Sequence, residues 1–129
     1  MDLLQRCTSA FLFAVLFSQA ISQGQIIINE IYYNPPAQGI EDGLFREFIE
    51  LHNPSRESVD LSGYFFDNGI SYTFPDNAHI FPGEHFVVVK DLGHSVWNNR
   101  LFRILGPYDG RLDNGGERIT LRNAQGQII

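Results

Sequence analysis

Past an apolar run near its start, the chain alternates short stretches of β-branched and aromatic residues with clusters of Gly, Pro, Asn and Asp, the punctuation of an all-β domain. Residues 25–33 (QIIINEIYY) predict a first strand, stopped by Asn34-Pro35-Pro36, where two prolines remove ladder donors. Residues 37–46 (AQGIEDGLFR) carry two glycines and an acidic pair and read as a loop. Residues 47–52 (EFIELH) predict a second strand that ends at the Asn53-Pro54-Ser55 turn. A third begins near Val59 and continues through Leu61 and Gly63 to Phe66.

From Ile70 to Phe74 the alternation is strict: Ile70, Tyr72 and Phe74 share one face, Ser71 and Thr73 the other, as in a half-buried strand. Pro82-Gly83 makes a turn before residues 84–90 (EHFVVVK), whose unbroken Phe86-Val87-Val88-Val89 run predicts a strand covered on both faces. Residues 91–101 (DLGHSVWNNRL) lack β character. They are the one stretch expected to be a short helix or irregular loop, with Val96, Trp97 and Leu101 inward. Gly106-Pro107-Tyr108 and Asn114-Gly115-Gly116 bracket a loop, after which residues 117–122 alternate again, Ile119 and Leu121 inward and Thr120 and Arg122 outward. Asn123 to Gly126 is a tight turn into Gln127-Ile128-Ile129, where a further strand starts.

The N-terminal run changes the picture from a plain domain to an exported one. Arg6 supplies a positive n-region, residues 10–17 (AFLFAVLF) an apolar h-region, and Ser18-Gln19-Ala20 or Ala20-Ile21-Ser22 a cleavage site. The mature chain then begins at Ile21 or Gln23. The apolar run is far shorter than the roughly 20 residues that span a bilayer, so no transmembrane segment is expected after cleavage. Residues 1–22 are accordingly assigned to a signal peptide and 23–129 to one domain. The only cysteine, Cys7, precedes the h-region, so cleavage removes it and it cannot be a lipoprotein acylation site. Pro54 also blocks the Asn53-Pro54-Ser55 sequon, in keeping with a bacterial exported protein.

Composition supports a packed core: 43% of the 129 residues are hydrophobic and 13% aromatic. Fifteen acidic against nine basic residues give a formal charge of −6, which repels polyanions and argues against nucleic-acid partners.

Taken in order, the landmarks resemble the lamin tail domain family. Ile28-Asn29-Glu30-Ile31, Glu47-Phe48-Ile49-Glu50-Leu51 with Asn53-Pro54, and Val59-Asp60-Leu61-Ser62-Gly63-Tyr64 are similar to its opening motifs. Tyr72-Thr73-Phe74-Pro75, Pro82-Gly83 before the Val-rich strand, and Gly116-Glu117-Arg118 leading to Thr120-Leu121 and the Asn123 to Gly126 turn are similar to the later ones. The resemblance covers nearly all of the mature chain. It implies an immunoglobulin-like β-sandwich, and with the signal peptide it implies the bacterial exported branch rather than nuclear lamins, whose coiled-coil rod has no counterpart here. In the family the last strand runs on past the turn with several more apolar and aromatic residues; here Ile128 and Ile129 follow. A sandwich lacking most of its final strand is therefore expected, with an unpaired edge.

Candidate chemistry is sparse. Glu30, Glu47 and Glu50 would give a general acid and base if two of them met, but strand carboxylates more often accept hydrogen bonds from loop amides. Glu41, Asp42, Asp67, Asn68 and Asp91 offer oxygens for calcium without the spacing of a calcium loop, and turns use the same residues for their own backbone. His52, His79, His85 and His94 lack zinc-site spacing, although His79 and His85 could approach across the Pro82-Gly83 turn. Tyr32, Tyr33, Tyr64, Phe65 and Trp97 could form an aromatic contact surface, with the core as their more usual place. Residues 110–116 hold neither a P-loop lysine nor a dinucleotide fingerprint.

The sequence thus predicts no catalytic residues, no metal ligands and no cofactor. The expected function is a non-catalytic interaction or tethering module of a secreted or cell-surface protein, contacting a protein or cell-surface partner through loops and sheet edges. The alternative is an accessory domain of a larger secreted enzyme, since the resemblance extends to modules that accompany extracellular nucleases, phosphoesterases and spore-coat-kinase-like proteins.

Overall fold

The computed structural model describes residues 25–36, 40–98 and 102–129, and not the side chains of residues 40–42. The predicted signal peptide, Cys7 and Leu101 lie outside the described residues.

Ten short strands are described, with one helix. In chain order they are β1 (Ile27–Tyr32), α1 (Ile40–Arg46), β2 (Phe48–His52), β3 (Val59–Asp60), β4 (Phe65–Asn68), β5 (Ile70–Thr73), β6 (His79–Ile80), β7 (His85–Val89), β8 (Arg103–Leu105), β9 (Asp109–Gly110) and β10 (Thr120–Arg122). One sheet has the order β1-β2-β7-β8 and another β10-β4-β5-β9; β3 and β6 form a small third pair. The two larger sheets pack as an immunoglobulin-like β-sandwich. Ile49 and Leu51 from β2 and Phe86 and Val88 from β7 meet Phe66, Ile70, Phe74 and Leu121 from the opposite sheet, and Leu61 and Ile80 join them from the small pair.

β7 shows why its sequence is apolar without alternation. Phe86 and Val88 belong to the core between the sheets, whereas Val87 and Val89 point outward and are buried under Trp97, with Phe48, Val96 and Ile104 around them. The cover is the connection between β7 and β8. These two strands are parallel, which requires a long crossover, and that crossover carries Val96 and Trp97 over the outer face. A single 3-10 turn, Ser95–Trp97, sets Trp97 in place; the His94 ring caps it by accepting from the Val96 amide at 3.3 Å. The Trp97 indole N–H donates to the Phe45 carbonyl at 3.2 Å, and its ring meets Phe48 edge-on at 5.9 Å.

Three expectations are corrected. Residues 37–46 are not all loop: α1 occupies Ile40–Arg46, because contact of Phe45 with Trp97 and His94 outweighs the poor helix propensity of a Gly-containing segment. The run from Val59 to Phe66 is two strands in different sheets, since the Asp60 carboxylate takes the Ser62 amide in a local turn and Gly63 adopts a left-handed φ of 72°. Thr120 points inward, 6% exposed beside Leu121 at 3%, because the register of β10 on β4 shifts between those two residues. Its hydroxyl accepts from the Asn68 amide at 3.2 Å, which satisfies it in the core.

Each core side chain buried by Trp97 is worth roughly 1.5–3 kcal/mol. Trp97→Ala should lower the unfolding free energy by about 3–5 kcal/mol, while Ile27→Ala, on an edge strand and 38% exposed, should change it by less than about 1 kcal/mol. Urea titration of both variants checks this; equal effects would mean that the outer face of β7 needs no cover.

Candidate functional site

The three candidate carboxylates part company in the fold. Glu30 and Glu50 are cross-strand partners on β1 and β2. Glu50 accepts from the Asn29 amide at 2.6 Å and from the His85 ring at 2.9 Å. Glu47 turns to the opposite side of that sheet, where it is 3% exposed and accepts from the Tyr108 hydroxyl at 3.1 Å and the Leu112 amide at 3.0 Å. A carboxylate so occupied ties the start of β2 to the segment that carries Tyr108 and Leu112. Burial, followed by the charge of Glu47, raises the Tyr108 pKa far above that of a free phenol.

The histidines take separate settings. His52 and His85 are direct register partners, and their rings stack at 4.1 Å. His79 sits opposite Asp60 on the small pair. The Nδ1–H of His52 donates to the Glu84 carbonyl at 3.2 Å, as that of His85 does to Glu50. His94 caps the 3-10 turn.

The described calcium candidates hold protein groups. Asp67 pairs with Arg122 at 2.5 Å, Asn68 donates to Thr120, and Asp91 accepts from the Gly93 amide at 2.8 Å. The side chains of Glu41 and Asp42 lie outside the described residues. Among the described residues no group of three or more His, Cys, Asp or Glu is placed to hold a metal ion.

The aromatic candidates separate into three settings. Tyr64 and Phe65 are half-buried beside the second sheet. Tyr32 and Trp97 line a hollow of about 320 Å³ on the outer face of the first sheet, with Phe48 and Phe102. Tyr33 stays 47% exposed and lines a groove of about 340 Å³ between β1 and the segment leading into β10. Ile31, Leu112 and Ile119 give this groove an apolar lining, and Asp113 and Glu117 border it. A second cleft of about 500 Å³ continues it past Tyr33, Leu112 and Asn114 to Glu47 and Arg111.

The groove is a gap in the sandwich. Ile31 is in register with Ile49, which is completely buried, so it faces the core side of its sheet. It is nonetheless 38% exposed, because the opposite sheet does not reach over it. An apolar side chain on the core side of a sheet, left open to water beside a cleft, is a place where another chain can gain burial.

The family model for the Lamin Tail Domain matches residues 19–129. The chain belongs to the lamin tail domain family. No curated protein matches it. The lamin tail domain is an immunoglobulin-like protein-interaction module, and among the described residues no helix is long and apolar enough to cross a membrane.

The family's Asn-Pro landmark acquires a structural role here. Asn53, fully buried, donates to the Glu57 and Ile80 carbonyls at 2.7 and 2.9 Å and accepts from Ser55, tying the loop after β2 to β6. The groove was not foreseen from the sequence, since nothing local marks Ile31 as uncovered. The one available signal was the alternation that puts Ile31 and Tyr33 on one face of the predicted strand.

Glu47→Ala should destabilise this lamin tail domain by about 2–5 kcal/mol, because the Tyr108 hydroxyl and the Leu112 amide both lose their acceptor; a loss below about 1 kcal/mol in urea titration would show that water replaces it. The raised pKa of Tyr108 also sets a pH limit. Its folded-state pKa exceeds the unfolded value of about 10, so its stabilising contribution is complete below about pH 10 and is lost as the pH rises further. Tyr108→Phe should flatten the alkaline fall in melting temperature, with the half-buried Tyr64 and Tyr72, whose pKa values are also raised by desolvation, supplying the remaining slope.

Proposed function

We propose that this lamin tail domain is a non-catalytic interaction module of an exported, bacterial cell-surface or secreted protein, and that it contacts a protein partner through the groove between β1 and the segment leading into β10. The observation that carries the reading is Ile31: a core-facing residue, in register with a fully buried neighbour, that is 38% exposed beside an apolar groove. The polar groups that resemble catalytic ones, Glu47, Glu50, His52 and His85, are engaged in hydrogen bonds that hold strands and loops. The acidic charge of the chain favours a partner that is neutral or basic over a nucleic acid. Export is supported by the positive n-region and apolar run ahead of the domain.

A photo-crosslinking amino acid placed at Tyr33, in the cells that make the protein, should give a discrete adduct with another protein, and the same probe at Phe81, exposed at the turn before β7, should give none. Equal labelling at both sites, or none at Tyr33, rejects the groove as the contact surface. For export, residues 1–22 fused to a reporter that is active only outside the cytoplasm should confer activity, with the mature protein beginning at the chain's Ile21 or Gln23 when its terminus is sequenced.

A further inference from the structure

The chain holds two Asn-Gly pairs, Asn68-Gly69 and Asn114-Gly115, and the fold treats them oppositely. In such a pair the glycine nitrogen can reach the carbonyl carbon of the asparagine side chain, since no Cβ on the glycine stands in the way. The attack closes a succinimide ring. It needs a free side-chain amide, a nitrogen that can shed its proton, and room to turn.

Asn114-Gly115 meets these needs. The pair is the centre of an exposed turn from Asp113 to Gly116, closed by the Gly116 amide on the Asp113 carbonyl at 3.1 Å. The Gly115 N–H donates to Asp113 Oδ1 at 2.7 Å, within the reach required of a general base. Asp113 is itself held in place, its own amide donating to Glu117 Oε1 at 2.8 Å. Among the described residues nothing hydrogen-bonds the Asn114 side chain, so no bond has to break before its amide carbon turns toward the Gly115 nitrogen. The space beside Gly115 is open too: a Cβ there would have only the Asp113 carboxylate within 4 Å.

Asn68-Gly69 fails on two counts. Asn68 is in register with Thr120 on β10 and donates its side-chain amide to the Thr120 hydroxyl at 3.2 Å. Gly69 is pressed against the next layer of side chains, where a Cβ would collide with Ile119 Cδ1 and stand 3.0 Å from Glu117 Cδ. Reaction there would require a hydrogen bond to break and packed groups to move.

We propose that Asn114 is a self-modifying site and that Asp113 is the general base of its reaction. The Gly115 nitrogen attacks Asn114 Cγ as its proton passes to Asp113 Oδ1. The Cγ–Nδ2 bond then breaks, its electron pair leaving with nitrogen, and ammonia departs with that proton. Water opens the succinimide. Addition at Cγ leaves aspartate on the normal backbone; addition at the Asn114 main-chain carbonyl leaves isoaspartate, with the chain running through the side chain. Either product adds a negative charge to a chain whose formal charge is −6. Isoaspartate also lengthens the backbone inside the turn and parts the Gly116 amide from the Asp113 carbonyl. The turn thereby changes irreversibly as the protein ages, with no enzyme involved.

The test is peptide mapping by fragmentation mass spectrometry on the folded chain, held at mildly alkaline pH and sampled over time. Asn114 should convert to a mixture of aspartate and isoaspartate at least about tenfold faster than Asn68. In urea, where neither pair is held by the fold, the two rates should converge. Asp113→Asn keeps an oxygen for the Gly115 amide and loses the base. It should slow conversion of Asn114 by at least about tenfold and make the rate more strictly proportional to hydroxide.

Conversion of Asn68 as fast as Asn114 in the folded chain, no conversion of Asn114, or a difference that persists in urea overturns the site. Conversion of Asn114 in the Asp113→Asn variant at an equal or higher rate overturns the role of Asp113, since its carboxylate would then only hold the turn.

Discussion

The strand β7 has to be buried on both faces, and much of the architecture answers to that demand. Phe86 and Val88 need a second sheet, which the β10-β4-β5-β9 layer provides; Val87 and Val89 need a cover on the outside, which an ordinary sandwich face does not offer. The parallel placement of β8 solves the second problem, because its long crossover must pass over the sheet and brings Trp97 with it. α1 is held in turn by the Trp97 indole on the Phe45 carbonyl, so a helix that its own sequence would scarcely sustain becomes part of the cover.

The two sides of the sandwich are closed to different degrees. On the β8 and β9 side the chain crosses directly from one sheet to the other: the Tyr108 amide donates to Val89, and the Lys90 ammonium to the Gly110 carbonyl at 2.6 Å. Gly106 is pressed so close to Val89 that an added Cβ would stand 2.5 Å from its carbonyl oxygen. On the β1 and β10 side no such crossing is made among the described residues, and Ile31 is 38% exposed.

Its polar residues are spent on shape. Asn53 ties one loop to the small pair, Glu47 joins β2 to the Tyr108 and Leu112 loop, and Arg122 fastens β10 to Asp67. Buried groups such as these stabilise mainly because leaving any one of them unpaired is costly, so they specify where the loops lie.

By itself the sequence determined the longer strands, most of the turns and the family, because alternation, β-branched runs and Pro-Gly or Asn-Pro breaks act within a few residues, whereas the short β6, β8 and β9 carry no such local signal. The two-sided burial of β7 and the inward face of Ile70, Tyr72 and Phe74 were legible for the same reason. Tertiary structure alone decided the rest. Residues 59–66 divided between two sheets, Thr120 turned inward at a register shift, and α1 formed on contact with Trp97. His85 met His52, and Glu47 found Tyr108 from 61 residues away. Those outcomes depend on which strands lie side by side, a matter of long-range pairing that no local pattern encodes. The open groove depends on it most of all, since Ile31 reads as a buried residue until the opposite sheet is seen to stop short of it.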